Sequence, residues 1–166
     1  MFLRIETIKE KKIICKRLRM SFSNYRPYEL WHSFMPERKK IRNSVSDDLY
    51  SIAVYDSSFD FKTFSPEMEF DKRAGLEVKD LNTVPAGMEL FTIPAGKYAV
   101  FTHFGTAADA PRTFKYIFGT WLPQSDYQVD LRPHFELLGE KYRRDDPESE
   151  EEIWIPVKRR SQIRKG

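Results

Sequence analysis

Apolar and polar positions alternate with a period of two along Lys97-Tyr-Ala-Val-Phe-Thr-His-Phe-Gly105, setting Tyr98, Val100, Thr102 and Phe104 against Ala99, Phe101 and His103. That is the pattern of a strand buried on both faces, and Gly105 breaks it. The period then changes. Phe114, Ile117, Phe118, Trp121 and Leu122 recur at helical spacing, which predicts a helix capped at Asp109, with Pro111 in its first turn and a stop at Pro123. The same unit occurs earlier. Leu30-Trp-His-Ser-Phe-Met-Pro36 reads against Ile117-Phe-Gly-Thr-Trp-Leu-Pro123, and Lys12-Ile-Ile-Cys-Lys-Arg-Leu18 against Lys97 to His103. The chain therefore reads as a tandem duplication of one strand–helix–strands module.

In chain order, Leu3 to Met20 predicts one or two strands, with a turn at Glu10-Lys11-Lys12. A first helix follows from Pro27 to about Lys40, ending or kinking at Pro36. Its inward face is Leu30, Trp31, Phe34 and Ile41. Leu49 to Tyr55 predicts a strand with Tyr50, Ile52 and Val54 on one face. Asp56 to Pro66 reads as a loop, and Met68 to Lys79 as a strand bulged at Gly75. Asn82 to Gly87 links the halves, and Met88 to Ile93 opens the second one. Gln124 to Pro133 has no period. His134-Phe-Glu-Leu-Leu138 and Ile153-Trp-Ile-Pro-Val157 close the chain as strands, the last at an edge or bulge because of Pro156.

The 166 residues, 40% hydrophobic, suffice for one core shared by two pseudo-repeats, 1–81 and 88–158. No apolar run reaches the roughly 18 residues of a membrane span, and no signal-peptide pattern opens the chain, so the expected location is the cytoplasm. The single Cys15 matches Val100 in the other half and reads as a small buried hydrophobe. Residues 159–166 form a basic tail. Setting aside Lys158 to Gly166 leaves 23 basic against 25 acidic residues, so the body is not a basic nucleic-acid surface. Glu148, Glu150, Glu151 and Glu152 read as a solvated run. His32, His103 and His134 are too scattered for zinc, and no phosphate loop or nucleophile motif is present.

Ile93-Pro-Ala-Gly-Lys-Tyr-Ala-Val-Phe-Thr-His-Phe-Gly105, Trp121-Leu-Pro123, Phe135-Glu136 and Ile153-Trp-Ile-Pro-Val-Lys158 together resemble the GyrI-like small-molecule-binding domain. Ala74-Gly-Leu-Glu-Val78 is similar to that family's Gly-Val-Glu-Val segment. This is the effector-binding domain of multidrug-responsive bacterial transcription regulators, also found in stand-alone form. The resemblance covers nearly the whole chain. It implies an α+β fold of two SHS2-like modules: a curved antiparallel sheet, two helices on one face and a central groove. With no helix-turn-helix beside it, direct DNA binding is not expected. No cofactor or metal is expected either.

Alternation places the expected site. If Phe135 and Leu137 pack under the helices with Ile153, Ile155 and Val157, then Glu136 and Trp154 meet on the exposed concave face. Tyr50 and Tyr98 or Phe101 would add walls to that groove. A carboxylate among apolar walls suits a flat lipophilic cation, whose charge offsets the cost of burial. The family resemblance gives a Phe-Glu glutamate this role, at Glu136. The expected function is a binding protein that senses or sequesters amphipathic, cationic compounds, or binds a protein partner such as a topoisomerase. The alternative implied by the resemblance is a hydrolase of strained cyclopropane-containing toxins. In that reading Glu136 is the general base, and Tyr142 or Tyr50 supplies a hydroxyl.

Overall fold

The computed structural model describes residues 1–56, 65–80 and 83–161. Its nine strands are β1 (Phe2–Ile8), β2 (Lys11–Ser21), β3 (Leu49–Val54), β4 (Glu69–Glu77), β5 (Glu89–Ile93), β6 (Gly96–Phe104), β7 (Tyr127–Val129), β8 (His134–Leu138) and β9 (Glu150–Arg159). All pair antiparallel, in the order β1-β6-β9-β8-β3-β4-β2-β5, with β7 beside the end of β9. The helices are α1 (Pro27–Phe34), which runs on as a 3-10 segment to Lys40, and α2 (Ala110–Tyr116). After α2 come a π-helical turn (Ile117–Trp121) and the short α3 (Leu122–Gln124).

The ladder pairs show the duplication residue by residue. Ile14 faces Leu90 and Leu76 in the first half, as Ala99 faces Ile5 and Ile155 in the second. Tyr50 faces Gly75, as Phe135 faces Trp154. The first strands are exchanged: β1 pairs with β6 of the second half, and β5 pairs with β2 of the first. Ser51 and Glu136 are equivalents and also ladder partners. The pseudo-twofold axis passes between them.

Short connections force the sheet to curl. In a flat sheet the first and seventh strands would lie roughly 29 Å apart, at about 4.8 Å per strand. Yet β1 reaches β2 from Ile8 to Lys11, a span of at most about 11 Å, and β5 reaches β6 just as directly. The inside of the curl is a core of Ile8, Ile13, Cys15, Tyr50, Ile52, Ile93, Tyr98, Val100, Phe135 and Trp154. The other face carries the helices. There Ile14, Ala74, Leu76 and Val78 receive Leu30 and Phe34 of α1. Ala99, Phe101, Ile153, Ile155 and Val157 receive Ile117 and Leu122 from the second helical segment.

Several local expectations change. The N-cap of the second helical segment is Thr106, and Asp109 accepts hydrogen bonds from its N–H (3.2 Å) and its hydroxyl (3.1 Å). Helical geometry passes Pro123 by one residue, because the π turn before it relieves the ring of its usual clash. Gly105 takes φ +116°, the turn its lack of a Cβ permits. Gly75 is no bulge: pairing runs unbroken through it on both sides. Glycine is needed there because a Cβ would meet the Ile14 carbonyl oxygen at 2.6 Å. Pro156 lies in an interior strand, where β9 changes neighbour from β8 to β7 and no ladder N–H is required. Residues 127–129, expected to be irregular, are β7.

The last strand extends to Arg159, and Arg160 donates to the carbonyls of Leu122 (2.7 Å) and Tyr127 (3.1 Å). The basic tail is thus docked at its start; residues 162–166 lie outside the described residues, as does 57–64 of the expected loop. Among the described residues no helix is long and apolar enough to cross a membrane.

Candidate functional site

The strip of sheet between the two helices is where the apolar pattern fails. On β4, Phe70, Lys72, Ala74 and Leu76 share the helix face; on β9, Glu151, Ile153, Ile155 and Val157 do. Lys72 is 7% exposed and Glu151 8% exposed. They are pseudo-twofold equivalents, placed alike on either side of the Ser51–Glu136 pair. Ala53, His134 and Leu138 complete the floor. Aromatic residues surround it. Phe22 stacks on Tyr25 (centroids 5.8 Å) and touches Phe70 (4.9 Å), while Tyr55 meets Phe70 (5.2 Å) and His134 (5.0 Å). The Lys72 ammonium lies 5.9 Å from the centre of the Tyr25 ring.

Burial drives the electrostatics. It raises the Glu151 carboxyl well above the usual carboxylate range, and the charge of Glu136 and a hydrogen bond to it act in the same direction. Ionising both carboxyls so placed is costly, and the proton stays on Glu151. Desolvation alone would lower Lys72, but Tyr25, Glu136 and Tyr55 outweigh it and the ammonium stays charged. Among the described residues no carboxylate forms an ion pair with it. His134 is depressed to about 3 by burial, with Arg132 and Lys72 adding to the effect, and is a neutral imidazole. Tyr142, half-buried, is raised by burial and then by Glu151 and Glu136. The floor thus holds one cation, one carboxylate and one neutral carboxyl. Among the described residues no trio of His, Cys, Asp or Glu is placed to hold a metal.

The expected site residues separate onto two faces. Glu136 lies on the polar strip, opposite Ser51 and Ile153 in the ladders, and Tyr142 is near enough to feel its charge. Trp154, Tyr50 and Tyr98 do not join it. Phe135 stacks on Trp154 (5.1 Å, 16°), so Phe135 belongs to the curled side and Glu136 faces the helices, the reverse of the expected assignment. The concave face is therefore a packed core and not the groove. Within it the Tyr98 hydroxyl donates to the Pro133 carbonyl (2.8 Å), Tyr50 to Glu77 (3.2 Å), and the Trp154 indole to Glu152 (3.1 Å). Phe101 is buried under the second helical segment, edge-on to Trp121 at 5.1 Å. His103 is satisfied by Thr113 (2.6 Å) and Thr106 (2.9 Å), and Cys15 is fully buried with its thiol pushed up by desolvation.

Lys72, Tyr25 and Tyr55 were not singled out from the sequence, Glu151 was read as part of a solvated acidic run, and His134 only as one of three scattered histidines. A signal existed for two of them. Lys72 interrupts the apolar series Phe70, Ala74, Leu76, Val78, and Glu151 extends the series Ile153, Ile155, Val157. A charge in an otherwise apolar register is a buried charge. Counting Glu151 within an acidic run hid that. Two surface clefts of about 360 and 310 Å³ lie elsewhere, one against Phe2 and Trp121 and one beside α1, and neither reaches Glu136.

A sheet of exchanged modules with two helices on one face and a polar strip on its pseudo-twofold axis defines a class of small-molecule-binding domain. The chain belongs to the GyrI-like small molecule binding domain family, which it matches over residues 1–158. It is 32% identical over 130 residues to the transcriptional regulator BrlR of Pseudomonas aeruginosa, covering 78% of this chain and 45% of that protein. It thus spans less than half the length of that relative. Among solved structures, SAV2435 bound to tetraphenylphosphonium superposes with TM-score 0.71 at 14% identity, covering 95% of this chain and 94% of the other. A hydrolase encoded by lin2189 of Listeria innocua superposes with TM-score 0.57 at 12% identity, covering 93% and 91%. At these identities the two structures establish the shared fold.

Proposed function

We propose that this chain is a receptor for small amphipathic aromatic molecules, which it senses or sequesters in the groove between its helices, with Glu136 as the polar anchor. The observation that carries this reading is the buried Lys72–Glu136–Glu151 group on the pseudo-twofold strip, ringed by Tyr25, Tyr55 and Tyr142. A structural core gains little from such a group, because desolvating charges costs several kcal/mol per ion. A ligand site gains specificity from it. The tetraphenylphosphonium complex of the structural neighbour supports an aromatic ligand class. The cationic preference expected from Glu136 alone is altered by Lys72.

The test is calorimetry over a panel of amphipathic aromatic compounds with the parent chain and Ala53→Phe, which fills the floor of the strip. Binding by the parent and none by the folded variant is the expected result. Equal binding by both would move the site elsewhere.

One observation favours a second reading. Burial and the neighbouring Glu136 charge raise the Glu151 carboxyl, which sets a proton donor beside a second carboxyl with the Tyr142 hydroxyl nearby. In the hydrolase reading Glu136 activates water as the base while Glu151 protonates the leaving atom of a strained ring. The lin2189 neighbour, a hydrolase, supports testing it. Turnover of a cyclopropane-containing electrophile that is lost in both Glu136→Gln and Glu151→Gln would establish it.

A further inference from the structure

We propose that Lys72 sets the charge class of the ligand. The groove prefers aromatic molecules of zero net charge, with a hydrogen-bond acceptor at one end, over lipophilic monocations. This rests on the groove being the binding site, as argued above.

Symmetry and charge carry the inference together. Lys72 and Glu151 are equivalent positions of the two halves, on the same face and at the same distance along the ladder from the Ser51–Glu136 pair. One side of the axis therefore ends in an ammonium and the other in carboxyls. Lys72 is buried beside Tyr25 and Tyr55, feels the charge of Glu136, and forms no ion pair among the described residues. With the Glu151 proton in place, the floor is neutral in sum and strongly dipolar. A monocation drawn to Glu136 is repelled by Lys72 inside the same low-dielectric strip, so the attraction a lone glutamate would offer is largely cancelled. A neutral molecule meets no such penalty. One with an acceptor at one end can take a charge-assisted hydrogen bond from Lys72 while its rings lie against the tyrosines. The dipole also fixes which way round such a ligand lies.

Two probes of similar aromatic bulk separate the possibilities: triphenylphosphine oxide, which is neutral with a strong acceptor oxygen, and tetraphenylphosphonium, a monocation. Both are titrated by calorimetry against the parent chain, Lys72→Met, Lys72→Gln and the double variant Lys72→Met with Glu136→Gln. Melting curves establish that each variant is folded, and Lys72→Gln serves if the methionine variant is not. The parent is expected to bind the oxide at least about tenfold more tightly than the cation. Replacing Lys72 should weaken the oxide and strengthen the cation, each by about tenfold, and the double variant should lose the gained cation affinity. A parent that binds the cation as tightly as the oxide, or an affinity ratio unmoved by Lys72 replacement, overturns the inference while leaving the groove intact as a site. Binding of neither probe to any of the proteins overturns the inference and the receptor reading together.

Discussion

Glu151 lies beside Glu136 across the β8–β9 ladder, where burial and the Glu136 charge raise its carboxyl well above the usual carboxylate range and hold a proton on the buried strip. The proton is a property of the fold, because in the unfolded chain Glu151 titrates near 4.5.

That difference fixes the sign of a pH dependence. The folded-state pKa of Glu151 is raised, so its contribution is fully present below pH 4.5 and is lost as pH rises towards the folded value. Urea unfolding from about pH 5 to about pH 8 should show the parent losing up to about 1.4 kcal/mol per pH unit relative to Glu151→Gln. Parallel stability curves for the two proteins would mean that Glu151 is ionised in the native state.

His134 acts in the opposite direction. Its pKa falls from 6.5 in the open chain to about 3 in the fold, so the native state excludes a proton that the unfolded state binds. Stability from this group is complete above pH 6.5 and is lost as pH falls towards 3. The imidazole should remain neutral by nitrogen chemical shift at about pH 5, where an ordinary histidine is mostly charged. Between 4.5 and 6.5 the slopes from His134 and Glu151 oppose one another, and replacing His134 by Gln should expose the Glu151 slope alone.

Trp154 belongs to the packed side of the sheet, stacked on Phe135 and edge-on to Tyr98 at 6.0 Å. Trp154→Ala should cost about 3–5 kcal/mol in urea unfolding. Trp154→Phe should stay folded and keep the parent's affinity for groove ligands. A marked loss of affinity in the phenylalanine variant would bring the indole back into the site.

Gly75→Ala tests the crowding between β2 and β4. Its Cβ would fall 2.6 Å from the Ile14 carbonyl oxygen and 2.7 Å from the Ile13 side chain. Both neighbours are fully buried and cannot move aside, so destabilisation of about 1–3 kcal/mol is expected from the melting midpoint. An unchanged midpoint would show that the ladder relaxes freely there.

Much of this architecture was legible in the chain. The alternation of Tyr98, Val100 and Thr102 against Ala99, Phe101 and His103, and the echo of Trp31 in Phe118, carry the duplication and both helices. The assignment of Ile153, Ile155 and Val157 to the helix face holds. What alternation leaves open is which of two apolar faces the helices cover. Phe135 and Leu137 are as apolar as a helix-facing pair would be, because the curled side is a core in its own right. A period of two specifies that neighbouring residues part company, not which side each takes. The packing of Phe135 on Trp154 decides that, and it joins two strands that only the fold brings together. The cap at Thr106 and the docking of Arg160 likewise depend on tertiary partners that no local pattern encodes.

The exchange of β1 and β5 predicts how the halves behave apart. A fragment ending after residue 80 lacks the partner for β1, and one beginning at 83 lacks the strand that covers β6. Each alone should show little native structure by circular dichroism, and equimolar mixing should restore the fold. A second half that folds unaided would mean that the exchanged strand is dispensable.

A half-length ancestor built on this plan would have had no use for its own first strand except to lend it to a twin. It would have existed as a reciprocal pair, with identical residues facing one another across a true twofold axis. Such a pair can offer a guest only a palindromic surface, on which any group to the left is matched by the same group to the right. One chain that carries both halves is free of that constraint, and positions 72 and 151 hold opposite chemistry, lysine and glutamic acid. A scaffold that is symmetric in its backbone thereby has a direction: the two ends of its central strip differ in chemistry.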